Sequence, residues 1–146
     1  FKKRRIQPFL GFCSLIHRNT LQMTERKKVK TQNIFIIIGC ALLLFMGVFH
    51  GIGIHYVTEI VNQSNTKTFI KKIFPVLFGH ASLHLFGMAT LGLVTLGNAG
   101  QLKRLRYVLV GLISIDALLA FYLGAALPGF VALVAALCFL VPTWIK

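Results

Sequence analysis

Four long apolar runs dominate the sequence and decide what the chain can fold into. They cover about Ile34–Val57, Ile73–Gly97, Arg106–Gly124 and Leu127–Ile145. At a rise of about 1.5 Å per residue, each run can cross a hydrocarbon core of about 30 Å as an α-helix. Membrane-spanning strands are excluded because the runs lack the two-residue alternation of barrel strands. The sequence therefore predicts an all-α polytopic membrane protein, a bundle of four transmembrane helices.

Composition narrows the function classes in the same direction. Hydrophobic residues make up 56% of the 146 residues, and charged residues only 13%. Ordinary soluble domains carry about 25% charged residues, so this chain cannot build their polar shell. A soluble enzyme, a disordered protein and a disulfide scaffold are excluded on this ground. We recognise no catalytic constellation in the sequence, and the composition favours a protein that is not an enzyme.

The basic residues predict how the helices are oriented. Lys and Arg number sixteen against three acidic residues, and they flank the apolar runs. Thirteen of them lie in the N-terminal segment, in the loop GNAGQLKRLR and at Lys146, which would share one side. The positive-inside rule then places both termini in the cytoplasm. This pattern indicates a lipid bilayer as the partner and excludes a nucleic-acid groove. We expect the bacterial inner membrane, with an organellar inner membrane as the alternative.

The N-terminal part divides from the rest by composition. A basic tail, residues 1–32, precedes a membrane domain that covers residues 33–146. Met23 opens the stretch MTERKKVKTQN, which is typical of a start just ahead of a first membrane helix. Residues 1–22 are then upstream translation, part of a longer chain or a targeting remnant, and our hypothesis is that they are not native to the working protein. We expect a flexible tail, with an interfacial segment on an anionic leaflet as the alternative.

Ionisable side chains inside the apolar runs are the candidate functional residues. They are His50, His55, His80, His84 and Asp116, of which His55 is predicted to lie in water contact at the outer interface. Charged groups at membrane depth are costly, so they are functional candidates by default. His80 and His84 are four residues apart and share one helix face. By helical rise, His84 lies about 16 Å below the outer edge and Asp116 about 15 Å above the inner edge. The two are therefore predicted to form an intramembrane polar pair near the midplane.

Three interpretations of these residues remain open. In the first, His50 with His80 or His84 supplies the axial ligands of a haem b, with glycines lining the groove and outer-loop lysines meeting the propionates. In the second, His80, His84 and Asp116 bind a divalent metal, because imidazole and carboxylate suit Zn, Fe or Cu. In the third, the histidines are neutral and satisfied by backbone carbonyls, Ser or Asp116. The third is favoured, and passage of protons or a solute is a further alternative.

Small residues at four-residue spacing predict close helix packing. The pairs are Gly47 with Gly51, Ala120 with Gly124, and Ala132 with Ala136. Such pairs let two backbones approach in lipid, where apolar side chains gain nothing by leaving water. We expect them to pack within the chain, with a homodimer or contact with other membrane subunits as the alternative.

The order of features resembles a known group of membrane proteins. A first helix rich in His and Gly is followed by a polar outer loop, a short basic inner turn and a tight Gly-Pro hairpin. Over about residues 33–145 this topology is similar to the small four-helix bacterial proteins that include the DoxX-like families. The resemblance implies an inner-membrane protein, in some cases associated with respiratory or thiol redox partners, and it carries no site residue. We expect an accessory or structural membrane subunit, with a haem b redox protein as the alternative.

Overall fold

The computed structural model of the chain describes residues 7–96 and 102–144, with side chains from residue 22 onward. These residues form four helices, α1 (Gln7–Gln63), α2 (Thr68–Val94), α3 (Lys103–Tyr122) and α4 (Ala126–Trp144). Each contains a segment long and apolar enough to cross a membrane. The prediction of an all-α fold with four such helices is confirmed. The predicted ends at Gly97 and Ile145 lie outside the described residues.

Helix α1 begins far ahead of the predicted start at Ile34. It is 57 residues long and runs without a break through most of the basic segment. The sequence gives the reason, since residues 12–33 contain neither Gly nor Pro. Lys28 Nζ also lies 3.0 Å from Glu25 Oε1, a spacing of three residues that supports a helix. The structure thus differs from the flexible tail that we expected for this stretch.

The connection between α1 and α2 is much shorter than the predicted loop of residues 58–72. Ser64 closes α1, because its hydroxyl donates to the Val61 carbonyl at 2.6 Å. Lys71 Nζ then donates to the carbonyl of Asn62 at 2.6 Å and fastens the start of α2 to the end of α1. Because α2 begins at Thr68, Pro75 lies inside the helix and not in its first turn.

Helices α3 and α4 are joined by a tight turn at Gly124, which has a φ of 77°. The amide of Ala125 donates to Ala120 at 2.9 Å and the amide of Gly124 donates to Phe121 at 3.0 Å. This is the Schellman pattern, in which a glycine in the left-handed region ends a helix without strain. The turn sets α3 and α4 side by side as an antiparallel hairpin.

The helices are arranged in the order α2, α1, α4, α3. Helix α1 packs against both α2 and α4, α4 packs against α3, and α2 makes little contact with α3. We call the gap between the last two the α2/α3 cleft. We call the end with the two short connections the hairpin end, and the end with Val94, Lys103 and Trp144 the terminal end.

The buried core lies in the half of the bundle nearer the terminal end. Phe139 of α4 is fully buried there. Its ring lies so close to Gly39 of α1 and Gly92 of α2 that a Cβ on either glycine would contact it. The other core residues are Ile36, Cys40, Leu43, Leu85, Met88, Ala89, Leu109, Ile113, Ala117, Ala132, Ala135 and Ala136. The part of the bundle nearer the hairpin end is less tightly filled, and the candidate site lies in it.

Candidate functional site

His84 of α2 and Asp116 of α3 meet across the α2/α3 cleft. His84 Nε2 lies 3.3 Å from Asp116 Oδ2, with the two side chains 42% and 33% exposed. The separation is that of an ion pair, but the angles fall short of a hydrogen bond. Asp116 Oδ2 has no hydrogen-bond partner within the described part of the chain. The carboxylate is therefore close to an imidazole and still has an unused acceptor.

The position of Asp116 follows from the spacing of apolar residues on α3. Leu109, Ile113 and Ala117 are buried at helical spacing and face the core. Asp116 directly precedes Ala117, so it is turned by about 100° around the helix axis. That rotation takes the carboxylate away from the core and toward the cleft. The two-residue contact predicted from depth is thus made by side chains on the open side of the bundle.

A cavity of about 240 Å³ adjoins the pair. His50, His84 and Asp116 supply its polar groups. The remaining lining is apolar or small and comes from Met46, Ala81, Leu85, Leu119, Ala120, Leu123, Ala125 and Pro128. A dry cavity of about 150 Å³ already admits benzene, so this one has room for a substituted ring. An apolar pocket with a few convergent polar groups is the usual form of a small-molecule site.

His50 reaches the cavity from α1. Its imidazole stacks on the Phe78 ring of α2, with centroids 4.3 Å apart and planes inclined by 24°. This contact fixes the ring at the α1–α2 seam. Ser82, one turn further along α2, is buried and its hydroxyl has no hydrogen-bond partner among the described residues. The α1–α2 seam beside the cavity therefore contains one stacked imidazole and one buried hydroxyl that is unpaired among the described residues.

The predicted metal ligands do not come together as a set of three. His84 and Asp116 are close, but His80 is exposed and does not line the cavity. Within residues 7–96 and 102–144, no three His, Cys, Asp or Glu side chains are grouped so that they could hold a metal ion. Helical rise explains this, because His80 lies about 6 Å from His84 along α2, nearer the hairpin end.

The site also fits a haem poorly. The cavity of about 240 Å³ is smaller than most small-molecule sites, which measure about 300–1,000 Å³, and a haem is a large ligand. His50 and His84 both line it, so the poor fit rests on the volume of the cavity. We therefore derive no chemistry through a haem.

Arg106 is a buried residue that the sequence reasoning treated only as an orientation signal. It is 0% exposed, although it lies in the first turn of α3. The signal was available, because Arg106 precedes Leu109 by three residues and Ile113 by seven. That spacing puts the guanidinium on the same buried face as those two side chains.

Comparisons with known proteins give no family for the chain. No protein-family model, no curated protein and no solved structure matches it. The candidate site consists of the His84–Asp116 pair, the stacked His50 and the cavity that they line.

Proposed function

We propose that the chain is a multi-pass protein of the bacterial inner membrane. The four candidate spans support this, as does the apolar surface that they leave uncovered. Phe45, Phe49 and Ile52 on α1 are each at least 66% exposed and lie close together along the helix. Contiguous apolar surface of this kind needs lipid or a partner protein to cover it.

Both termini lie in the cytoplasm in this proposal. The terminal end of the bundle carries Lys103 and Arg104 at the start of α3, together with the basic part of α1 from Arg26 to Lys30. The hairpin end carries Lys67, Lys71 and Lys72. The excess of basic residues at the terminal end favours its cytoplasmic placement.

We further propose that the protein is an accessory subunit whose α2/α3 cleft is completed by a transmembrane helix of a partner. The half-exposed His84–Asp116 pair carries this proposal. An acidic side chain at the centre of a membrane helix costs about 3 kcal/mol on insertion scales. One interhelical hydrogen bond in a membrane recovers about 0.6 kcal/mol on average. A partner side chain that donates to Asp116 Oδ2 would lower this penalty further, whereas lipid chains offer no donor.

A second candidate function is supported by the cavity itself. Its apolar lining and its three polar side chains suit a small lipophilic molecule with a hydrogen-bonding head group. In this alternative the head group would donate to Asp116, and the ring would occupy the space beside Leu119 and Leu123. No comparison tests the DoxX-like resemblance, and neither proposal depends on it.

Photo-cross-linking in native membranes tests both. A photoreactive amino acid at Leu119, which lines the cavity, is compared with one at Val134 of α4, which is equally exposed to the surroundings and does not line it. We expect a discrete protein adduct from Leu119 and none from Val134. The adduct should disappear when His84→Leu and Asp116→Leu are combined, because the polar contact is then gone.

The other outcomes divide the candidates. A small-molecule adduct from Leu119, in place of a protein adduct, would support the ligand and contradict the subunit. Equal labelling at both positions, or a protein adduct that survives the double substitution, would contradict a specific role of the pair.

A further inference from the structure

Arg106 is a buried cation to which the described residues offer no hydrogen-bond partner. Its side chain is 0% exposed. Its Nε, Nη1 and Nη2 atoms are all shielded from solvent, and none has a hydrogen-bond partner in the described part of the chain. A guanidinium carries five N–H donors and stays charged at any physiological pH. Buried groups of this kind are normally paired, and an orphan indicates a water or an ion that completes the site.

The residue lies in a polar layer at the terminal end. The layer contains Thr95 at the C-cap of α2, Arg106 of α3 and Thr143 of α4, all of which are buried. The helix register puts Arg106 and Thr95 at one depth, about 15 and 16 Å from the His84–Asp116 contact along α3 and α2. The two threonine hydroxyls donate to their own helices, Thr95 to Gly92 and Thr143 to Leu140, both at 2.7 Å. Neither hydroxyl oxygen accepts a hydrogen bond from Arg106.

The chain has no acidic residue available to neutralise Arg106. Only three exist in the whole sequence. Glu25 is paired with Lys28 at 3.0 Å. Glu59 lies near the hairpin end of α1, where it accepts a hydrogen bond from Gln63 at 3.4 Å. Asp116 lies ten residues further along α3, about 15 Å away. None of the three acidic side chains is therefore placed to neutralise Arg106, and an anion from another molecule can do so.

The first turn of α3 favours a negative charge at the same place. Its N-cap residue, Leu102, makes no side-chain hydrogen bond to the free amides of the turn. Those amides and the helix dipole attract anions. Side chains of a helix lean toward its N-terminus, so we expect the Arg106 guanidinium to lie over this turn, on its buried side. Lys103 and Arg104 add two further positive charges in the turn.

We propose that Arg106 and the first turn of α3 bind the phosphate group of an anion, either the headgroup of an anionic lipid or free phosphate. A guanidinium matches phosphate because its N–H groups can contact two oxygens at once. Basic pockets between helices at the cytoplasmic side of a membrane are known to hold anionic headgroups. The site is separate from the α2/α3 cleft, and its test does not depend on what occupies that cleft.

The test measures thermal unfolding of the full chain in an uncharged detergent. Inorganic phosphate, phosphatidylglycerol and phosphatidylcholine are added in turn, and Arg106→Met is compared with Arg104→Met, which removes an exposed charge from the same turn. We expect phosphatidylglycerol to raise the Tm of the unsubstituted protein. Arg106→Met should raise the lipid concentration that gives a half-maximal Tm rise about tenfold or more, because a charge-assisted contact is lost. Arg104→Met should raise that concentration far less.

The Tm measured without any anion is a second readout, and there Arg106→Met should have the opposite effect. Without any anion, Arg106→Met should raise the Tm, since an unpaired buried cation is replaced by an apolar side chain of similar length. A response to phosphate equal to that of the lipid would identify free phosphate as the source, and a response to phosphatidylglycerol alone would identify the lipid. The proposal is overturned if no anion stabilises the unsubstituted protein, if both substitutions weaken the effect equally, or if Arg106→Met unfolds in the absence of anions.

Discussion

Gly92 of α2 lies directly against the thiol of Cys40 on α1. A Cβ at Gly92 would stand 2.7 Å from Cys40 Sγ and 2.7 Å from the ring of Phe139. Both neighbours are buried. Three helices thus converge at a point where one of them has no side chain, and the separation of α1, α2 and α4 is set there.

Gly92→Ala is expected to destabilise the bundle. Overpacking a filled core costs about 1–3 kcal/mol, and neither the Phe139 ring nor the buried thiol can move aside easily. The matched control is Gly87→Ala on the same helix, where an added Cβ meets nothing within 4 Å. That control should be neutral or stabilising, since Ala is favoured over Gly in helix interiors by about 0.5–1 kcal/mol. Thermal unfolding in detergent compares the two, and equal Tm values would contradict the described contact.

The His84–Asp116 pair is tested by a double-mutant cycle. Asp116→Asn keeps a hydrogen-bonding group and should be mild. His84→Leu strands the carboxylate and should lower stability more, by an amount near the average of about 0.6 kcal/mol for a membrane hydrogen bond or somewhat above it. His84→Leu combined with Asp116→Leu should recover stability, because no polar group is then left unpaired.

The informative quantity in that cycle is the coupling between the two positions. Free energies of unfolding for the single and double leucine variants should be clearly non-additive, as expected for residues in contact. Strict additivity would mean that the two side chains do not interact in the membrane.

Terminal orientation is tested by cysteine labelling. Met23→Cys on α1 and Ser64→Cys at the hairpin end are placed singly in a chain whose native cysteines are replaced. An impermeant maleimide added to intact cells should label Ser64→Cys and spare Met23→Cys until the membrane is opened. Labelling of Met23→Cys in intact cells would reverse the proposed orientation.

A chain that begins at Met23 should insert and unfold like the full chain. Gln32 is the first buried residue among the side chains described for α1, so the shortened chain keeps every described core contact. Membrane fractionation and a Tm within the error of the full chain are the expected results. Loss of insertion would show that residues 1–22 belong to the working protein.

Much of the fold could be predicted from local patterns, and part of the site could not. Four apolar runs gave four helices, and counting helical rise put His84 and Asp116 at one depth. The start of α1 was predicted wrongly because a helix can extend beyond its apolar run. Here the residues that precede the run are good helix formers. The buried state of Arg106 depends on which face of α3 meets the core. The cavity depends on how far α2 and α3 stand apart, which no single segment encodes.

In the order α2, α1, α4, α3, the contact between α1 and α4 joins two helical hairpins. These are the α1–α2 hairpin and the α3–α4 hairpin. Helices α2 and α3 lie farthest from the α1–α4 contact. A small rotation of one hairpin against the other about that contact therefore moves these two helices most. His84 and Asp116 face each other across the α2/α3 cleft. If the two hairpins rotate apart or together, the distance between these two side chains changes first, while Phe139 near the α1–α4 contact stays in place.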